Sequence, residues 1–186
     1  VISVDTMRAE VAKQGIIAGA TYINDVSGGL ADEKMAKLIA SNSKVQYIAM
    51  HWRGHSKEMQ KQAVYENVVT EVKDELDDRV TSLLKAGVSP EQIILDPGIG
   101  FAKESEHNWQ ILKNIERFQM LGYPLLVGVS RKRFLGELVN ANEPDKREAA
   151  TIALTAELAR VKVWAVRTHA VKAHQDAISV IERLRK

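Results

Sequence analysis

Six short, continuously hydrophobic segments rich in β-branched residues constrain the fold of this chain more than any other feature. They comprise residues 1–5, 21–24, 45–50, 93–96, 125–130 and 163–167. Strands with one wet face alternate apolar and polar residues, whereas parallel strands buried on both faces are apolar throughout. Helical patterns separate the six segments. The sequence therefore predicts an α/β fold of alternating β and α units around a parallel sheet.

The helical patterns set the length of each unit. The clearest runs from Val64 to Ala86, with apolar residues every three or four positions and Gly87 as a C-terminal cap. We expect Asn142, Asp145 or a neighbouring residue to cap a later helix. Six units in 186 residues give about 31 residues per unit, and a complete (β/α)8 barrel has about 250 residues. Spacing alone leaves an open sheet and a barrel as alternatives.

Composition excludes several classes of protein. A hydrophobic fraction of 45% and a net charge of +2 argue against disorder and against a dedicated nucleic-acid binder. The absence of cysteine excludes disulfides, thiolate metal sites and a cysteine nucleophile. The longest stretch free of charged and strongly polar residues, 120–129, is about half the length needed to cross a bilayer. We therefore expect a soluble, cytoplasmic protein.

Polar side chains close five of the six predicted strands. They are Asp5, Asn24, Asp96, Ser130 with Lys132, and Arg167 with His169. In parallel α/β folds, ligands bind at this carboxyl edge. Carboxylates and an amide can accept from and donate to the edge of a heterocycle, while the cationic groups can hold phosphate oxygens. The pattern predicts a site for a planar nitrogen heterocycle with an anionic leaving group.

Other polar and aromatic residues have simpler interpretations. The basic turn Arg131–Arg133 is either an anion site at a helix N-terminus or a solvated turn. We expect structural or surface roles for His51 and His55, surface positions for His107 and His174, and packing against the core or a helix for Trp164.

Five motifs in order along the chain resemble those of the dihydropteroate synthases, a family of pterin-binding enzymes. They are residues 2–6, 23–29, 95–101, 126–136 and 166–169. The resemblance implies a TIM (β/α)8 barrel, of which this chain would supply units 3–8 in a single domain spanning 1–186. It also implies a transferase of folate biosynthesis, which joins a dihydropterin-methyl diphosphate to p-aminobenzoate with loss of pyrophosphate. Mg²⁺ as cofactor, sulfonamide inhibitors as ligands and a homodimer are further implications.

The resemblance assigns roles by motif. The pterin would bind to Asp5, Asn24, Val26, Met50, Asp96, Gly128 and Lys132. The diphosphate would bind to Arg167 and His169, which together with Lys132 would be the catalytic residues. p-Aminobenzoate and sulfonamides would border Phe101, Ser130 and Lys132. No metal ligand is expected in this chain, because the family's magnesium-linked Asn belongs to a loop without a counterpart here.

Two departures from the family pattern keep alternatives open. Ala170 stands where the family usually has Asp, which puts the orientation of His169 in doubt. The chain begins at what resembles the family's third strand, so we expect an N-terminally incomplete barrel. The alternatives are a truncated pterin-binding module without turnover and a methyltransferase that uses methyltetrahydrofolate and a corrinoid partner.

Overall fold

A computed structural model describes residues 1–55 and 58–186 of the chain. Strands and helices alternate from end to end. The strands are β1 (Ser3–Asp5), β2 (Tyr22–Asp25), β3 (Gln46–Met50), β4 (Ile93–Asp96), β5 (Leu126–Val127) and β6 (Ala165–Val166). The α-helices are α1 (Ala9–Ile17), α2 (Lys34–Ala40), α3 (Val68–Lys85), α4 (Ser105–Lys113), α5 (Ile115–Gln119), α6 (Arg133–Val139), α7 (Glu148–Arg160) and α8 (Val171–Leu184). Single 3-10 turns cover Met59–Gln62, Pro90–Gln92 and Pro144–Arg147.

The strands are parallel and lie side by side in chain order. β1 to β4 form one sheet, and β5 pairs with β6. A single parallel bridge between Leu95 and Leu125 joins the two parts. Within the described residues, β1 and β6 each pair on one side only. The predicted six parallel strands are confirmed, and all their carboxyl ends lie at one edge.

Both faces of the strands carry apolar side chains, as the continuous hydrophobic segments predict. On the helix side, Ile23, Tyr47, Ile93 and Leu95 belong to the main core. On the other side, a smaller cluster contains Ile48, Ile94 and Leu126 with Tyr22 and Ala165 around it. This second cluster forms the floor of the space that the strands curve around.

The expected packing of Trp164 against the core or a helix is wrong. Its side chain is about half exposed, and its ring centroid lies 6.4 Å from that of Tyr22. It lines a cavity of about 400 Å³ between β1 and β6, together with Ile48 and Leu126. The side chain therefore belongs to the inner face of the strands. It stays open to solvent because β1 and β6 do not pair with each other.

The predicted helix at residues 64–86 is confirmed but starts later than expected. It begins at Val68, because the Asn67 side chain accepts a hydrogen bond from the Thr70 backbone N–H at 3.0 Å and caps the helix. Val64 lies outside it and is exposed. At the other end, Gly87 has a φ of 94°, the left-handed conformation of a C-terminal cap.

The predicted capping of a later helix by Asn142 or Asp145 is wrong. α7 begins at Glu148 directly after a 3-10 turn and has no side-chain cap. The turn continues into the helix, so a separate capping side chain is not needed there. Asp145 pairs instead with Arg131.

None of the helices in the described part of the chain is long and apolar enough to span a membrane.

Candidate active site

Four of the predicted site residues meet in one hydrogen-bonded group at the carboxyl edge of the strands. The Asn24 amide donates to the Asp5 carboxylate at 2.7 Å. The Arg167 guanidinium donates to Asp96 at 3.1 Å, and lies 3.4 Å from the Asn24 amide oxygen. The four side chains come from β1, β2, β4 and the residue after β6. The prediction that strand ends gather these groups is confirmed.

Asp96 is the most buried member of this group, at 1% exposure. One carboxylate oxygen accepts from the Gly98 backbone N–H at 2.8 Å, and the other accepts from Arg167. Gly98 has a φ of 68°, and a Cβ there would lie 2.6 Å from the backbone oxygen of His51. Only glycine fits such a turn without rearrangement. The turn after β4 thus fixes the direction in which Asp96 points.

Three more predicted residues stand at the carboxyl ends of β2, β3 and β5. Met50 ends β3, is buried and is in register with Asp96. Gly128 faces the Arg167 guanidinium so closely that a Cβ would lie 2.6 Å from it. The missing side chain therefore gives Arg167 room to reach across to Asp96. Val26 follows β2 and is half-buried.

Two of the three residues predicted for the second substrate, Phe101 and Lys132, contact each other. The Lys132 ammonium lies 4.3 Å from the centre of the Phe101 ring, a cation–π contact. Burial lowers the pKa of Lys132, against the opposing effect of the Asp96 charge. Lys132 and the neighbouring Arg131 and Arg133 line a cavity of about 320 Å³. Arg133 is largely exposed, whereas Arg131 is about three-quarters buried, so only part of the basic turn is simply solvated.

His169 is oriented by a serine. Its Nδ1 lies 2.7 Å from the Ser130 hydroxyl, and its backbone N–H donates to the same oxygen at 3.2 Å. The carboxylate that Ala170 lacks is therefore not required to hold this ring. Because Nδ1 of His169 is hydrogen-bonded to Ser130, Nε2 is the nitrogen that can contact a ligand.

Lys103 is a buried charged residue that the sequence analysis missed. Its ammonium nitrogen lies 2.9 Å from His51 Nδ1 and 3.1 Å from the Phe101 carbonyl oxygen. Burial lowers its pKa to about 7, and the nearby Asp96 charge opposes that shift. A lysine in a polar loop has no local pattern that predicts burial. Its place depends on how the loops after β3 and β4 pack together.

His51 links Lys103 to α3. Its Nε2 lies 2.9 Å from a Glu75 carboxylate oxygen, and its side chain is 1% exposed. Burial opposes the ionised form of Glu75, but hydrogen bonds from His51 and Arg53 lower the pKa of Glu75 to about 2. A neutral ring that donates to Glu75 and accepts from Lys103 satisfies all three groups. The expected structural role of His51 agrees with these contacts.

Burial, and next the Lys103 charge, lower the pKa of His51 to about 4, and this predicts acid sensitivity. Glu75 opposes this shift, and Arg53 adds to it. In the unfolded chain His51 has its ordinary pKa of about 6.5, whereas in the folded chain it stays neutral down to about pH 4. The free energy of unfolding therefore falls as the pH drops from about 6.5 to 4. The expected loss is on the order of 3 kcal/mol. We expect urea unfolding to show it, and His51→Gln to remove that part of the pH dependence. The exposed His55→Gln is the control, and an unchanged profile in His51→Gln would contradict the assignment.

Three other histidines have different environments. The predicted surface position of His174 is wrong, because its side chain is 1% exposed between α7 and α8. His107 is half-buried. It accepts a hydrogen bond from the Glu104 backbone N–H at the start of α4 and packs edge-on against Tyr65. His55 is exposed and packs edge-on against Trp52.

Asp25 is a carboxylate beside the site whose role is structural. It is fully buried and accepts from the Tyr47 hydroxyl at 2.8 Å and from the Ser27 and Gly29 backbone N–H groups at 2.8 and 3.0 Å. Burial and the Asp25 charge raise the pKa of Tyr47. These bonds hold the loop that follows Asn24.

The described residues contain no group of three or more histidine or acidic side chains placed to hold a metal ion.

The chain is similar in sequence and in fold to known proteins. The profile of the family described as "Pterin binding enzyme" matches residues 1–169. The dihydropteroate synthase of Mycobacterium leprae is 43% identical over 186 residues, covering 97% of this chain and 65% of that protein. The dihydropteroate synthase of Thermus thermophilus in complex with 4-aminobenzoate aligns with a TM-score of 0.92 and 40% identity, covering 98% of this chain and 70% of the other. The same Thermus enzyme with 6HMPPP aligns with a TM-score of 0.93 and 39% identity, covering 99% of this chain and 72% of the other. The chain thus spans about two thirds of the length of its curated relatives, and the barrel class of its fold is confirmed.

Proposed function

The chain belongs to the pterin-binding enzyme family, and on that premise we propose that it binds a dihydropterin-methyl diphosphate and transfers the pterin-methyl group to p-aminobenzoate. The single observation that carries this proposal is the joint contact of Asn24 and Asp96 with Arg167. It places groups that recognise a heterocycle directly beside a group that binds phosphate.

The pterin is assigned to the cavity between β1 and β6. Its volume is about 400 Å³, with apolar walls and with Asp5, Asn24 and Arg167 among its lining residues. Cavities of this kind, apolar with a few convergent polar groups, bind small planar ligands. Asp96, behind Arg167, would accept from the ring N–H groups, and the Asn24 amide would both donate and accept.

The basic residues would stabilise the negative charge that develops on the leaving group. When the bond between the pterin methylene and the diphosphate oxygen breaks, both electrons stay on the oxygen. Arg167 and Nε2 of His169 would stabilise that charge. The aniline nitrogen then donates its lone pair to the methylene carbon, and the resulting acidic ammonium centre gives up its proton to water or to the released pyrophosphate. This nitrogen is neutral near pH 7, so the step needs no strong base at the site.

The second substrate is assigned to the cavity that Lys132 lines. Phe101 offers an aromatic face under the Lys132 ammonium, and the basic residues around this cavity suit a carboxylate. Sulfonamides would compete there with p-aminobenzoate. Mg²⁺ and a homodimer, which the family resemblance implies, stay predictions, and no step above depends on them.

An assay of dihydropteroate formation tests the proposal. The chain is incubated with both substrates and Mg²⁺, and pterin binding is measured separately by calorimetry. Product formation that a sulfonamide inhibits is the expected result. Pterin binding without product would favour a pterin-binding module, and methyl transfer from methyltetrahydrofolate would favour the methyltransferase alternative. The second alternative is disfavoured by Arg167 and His169, because a methyl transfer has no diphosphate to bind.

A further inference from the structure

Arg131 has an unusual backbone conformation at a functionally important position. It lies between Ser130 and Lys132, and its φ of 57° places it in the left-handed region. That conformation is unfavourable for a residue with a side chain and persists only where the surroundings impose it. The groups that hold Arg131 therefore also hold the two site residues beside it.

Residues of the segment 144–160 bind both the backbone and the side chain of Arg131. Its backbone N–H donates to the Thr151 hydroxyl at 3.1 Å, and its carbonyl oxygen accepts from the Arg147 guanidinium at 3.0 Å. Its own guanidinium pairs with Glu148 at 2.7 Å and with Asp145. Asp145 is largely exposed, whereas Glu148 is about four-fifths buried. The Glu148 pair is thus the stronger constraint, since exposed ion pairs contribute little.

Glu148 is held in turn by a buried histidine. His174 Nε2 lies 2.7 Å from the Glu148 oxygen that does not bind Arg131. The other ring nitrogen, Nδ1, lies 2.7 Å from the hydroxyl of Thr155, which is also buried. The Nε2–H tautomer satisfies both contacts, because it donates to the carboxylate and accepts from the hydroxyl.

We propose that His174 on the outer helix α8 is a positioning residue for the turn Ser130–Lys132, which it holds through Glu148 and Arg131. The inference rests on the proposed function, because that function assigns Lys132 to the second substrate, where the family resemblance also places Ser130. His174 itself touches neither residue. Its effect on substrate passes through one carboxylate and one guanidinium, each bound by a charge-assisted hydrogen bond.

Hydrogen exchange tests the coupling without reference to any substrate. In His174→Leu, we expect the backbone amides of Arg131 and Lys132 to exchange about tenfold faster than in the unmodified chain. The reason is that the hydrogen bond from His174 to the Glu148 carboxylate, which pairs with Arg131, is lost. His174→Gln is expected to restore slow exchange, because its amide can donate to Glu148. Gln175→Ala, at an exposed neighbouring position on α8, is the control and leaves exchange unchanged. Equal exchange in His174→Leu and the unmodified chain would overturn the proposal.

Ligand affinities test whether the coupling serves the site. p-Aminobenzoate affinity, measured with pyrophosphate and pterin present, is expected to fall about tenfold in His174→Leu and to recover in His174→Gln. The affinity for free pterin is expected to fall less than about threefold, because Lys132 belongs to the turn that this network holds, whereas Asp5, Asn24 and Asp96 do not depend on it. Equal losses for both ligands would indicate general destabilisation and overturn the specific role.

Two further variants allow the same test if His174→Leu does not fold. Glu148→Gln and Thr155→Val interrupt the same chain of contacts at other points, and each should accelerate the same two amides. The combination of His174→Leu with Glu148→Gln is expected to add little to either alone, since they break one path. An unmodified chain that binds no p-aminobenzoate would contradict the proposed function. The exchange data would then still decide whether His174 holds the turn.

Discussion

Asp96→Asn is expected to reduce the affinity for free pterin by about 100-fold, the effect of losing hydrogen bonds to a buried charged acceptor. One oxygen of Asp96 is committed to the Gly98 backbone N–H, so the other faces Arg167 and the ligand. In the amide, the NH₂ group would occupy that second position and meet donors on both sides. Turning the amide over would sacrifice the bond from Gly98 instead.

Calorimetric titration with free pterin measures this effect. The control is Asp77→Asn, an exposed carboxylate on α3, which removes the same charge away from the site. Thermal unfolding of both variants shows whether Asp96→Asn still folds. A folded Asp96→Asn variant that binds pterin within about threefold of the unmodified chain would remove Asp96 from the pterin site.

Arg167→Ala is expected to weaken binding of the pterin diphosphate by about 100-fold while changing the affinity for free pterin less than about threefold. The guanidinium can bind phosphate oxygens in pairs, and no neutral side chain replaces that interaction. Free pterin does not need it. Asp96 keeps its bond from Gly98 and the nearby charges of Lys132 and Lys103 after Arg167 is removed.

Free pterin and the pterin diphosphate are compared because only the second carries the group that Arg167 is expected to bind. Both affinities are measured in Arg167→Ala, in Arg167→Lys and in Arg117→Ala, whose arginine is exposed on α5. The lysine variant is expected to recover part of the diphosphate affinity through its charge, and the Arg117 variant to behave like the unmodified chain. Similar losses for free and diphosphorylated pterin would contradict the assignment of Arg167 to the diphosphate.

The strands and the gathering of the site were predictable because both depend on local patterns. Continuous hydrophobic runs identify strands buried on two faces, and parallel strands necessarily bring their carboxyl ends to one edge. Asp96 and Arg167 therefore met as expected, although 71 residues separate them. Ser130 and His169 were also predicted for the same edge, but their mutual hydrogen bond was not.

Residues whose environment depends on packing between distant loops or helices were not predictable. Lys103 is a charged residue in a polar loop, and only the approach of His51 from another loop buries it. His174 lies in an amphipathic helix and looks exposed, until α7 covers it with Thr155 and Glu148. Trp164 looked like a core residue because a hydrophobic run does not reveal which face of a strand is covered.

The site spans the junction between the two parts of the sheet, so its geometry depends on both parts being folded. β1 to β4 can form from neighbouring segments, whereas β5 and β6 attach to them through one bridge at Leu95. Arg167 crosses this joint to groups up to 143 residues away in the chain. Loop closure over so many residues carries a large entropy cost, so this contact depends on the rest of the chain being folded. A ligand that binds both Asp96 and Arg167 would connect the two parts of the sheet, and we expect it to stabilise the folded chain by mass action.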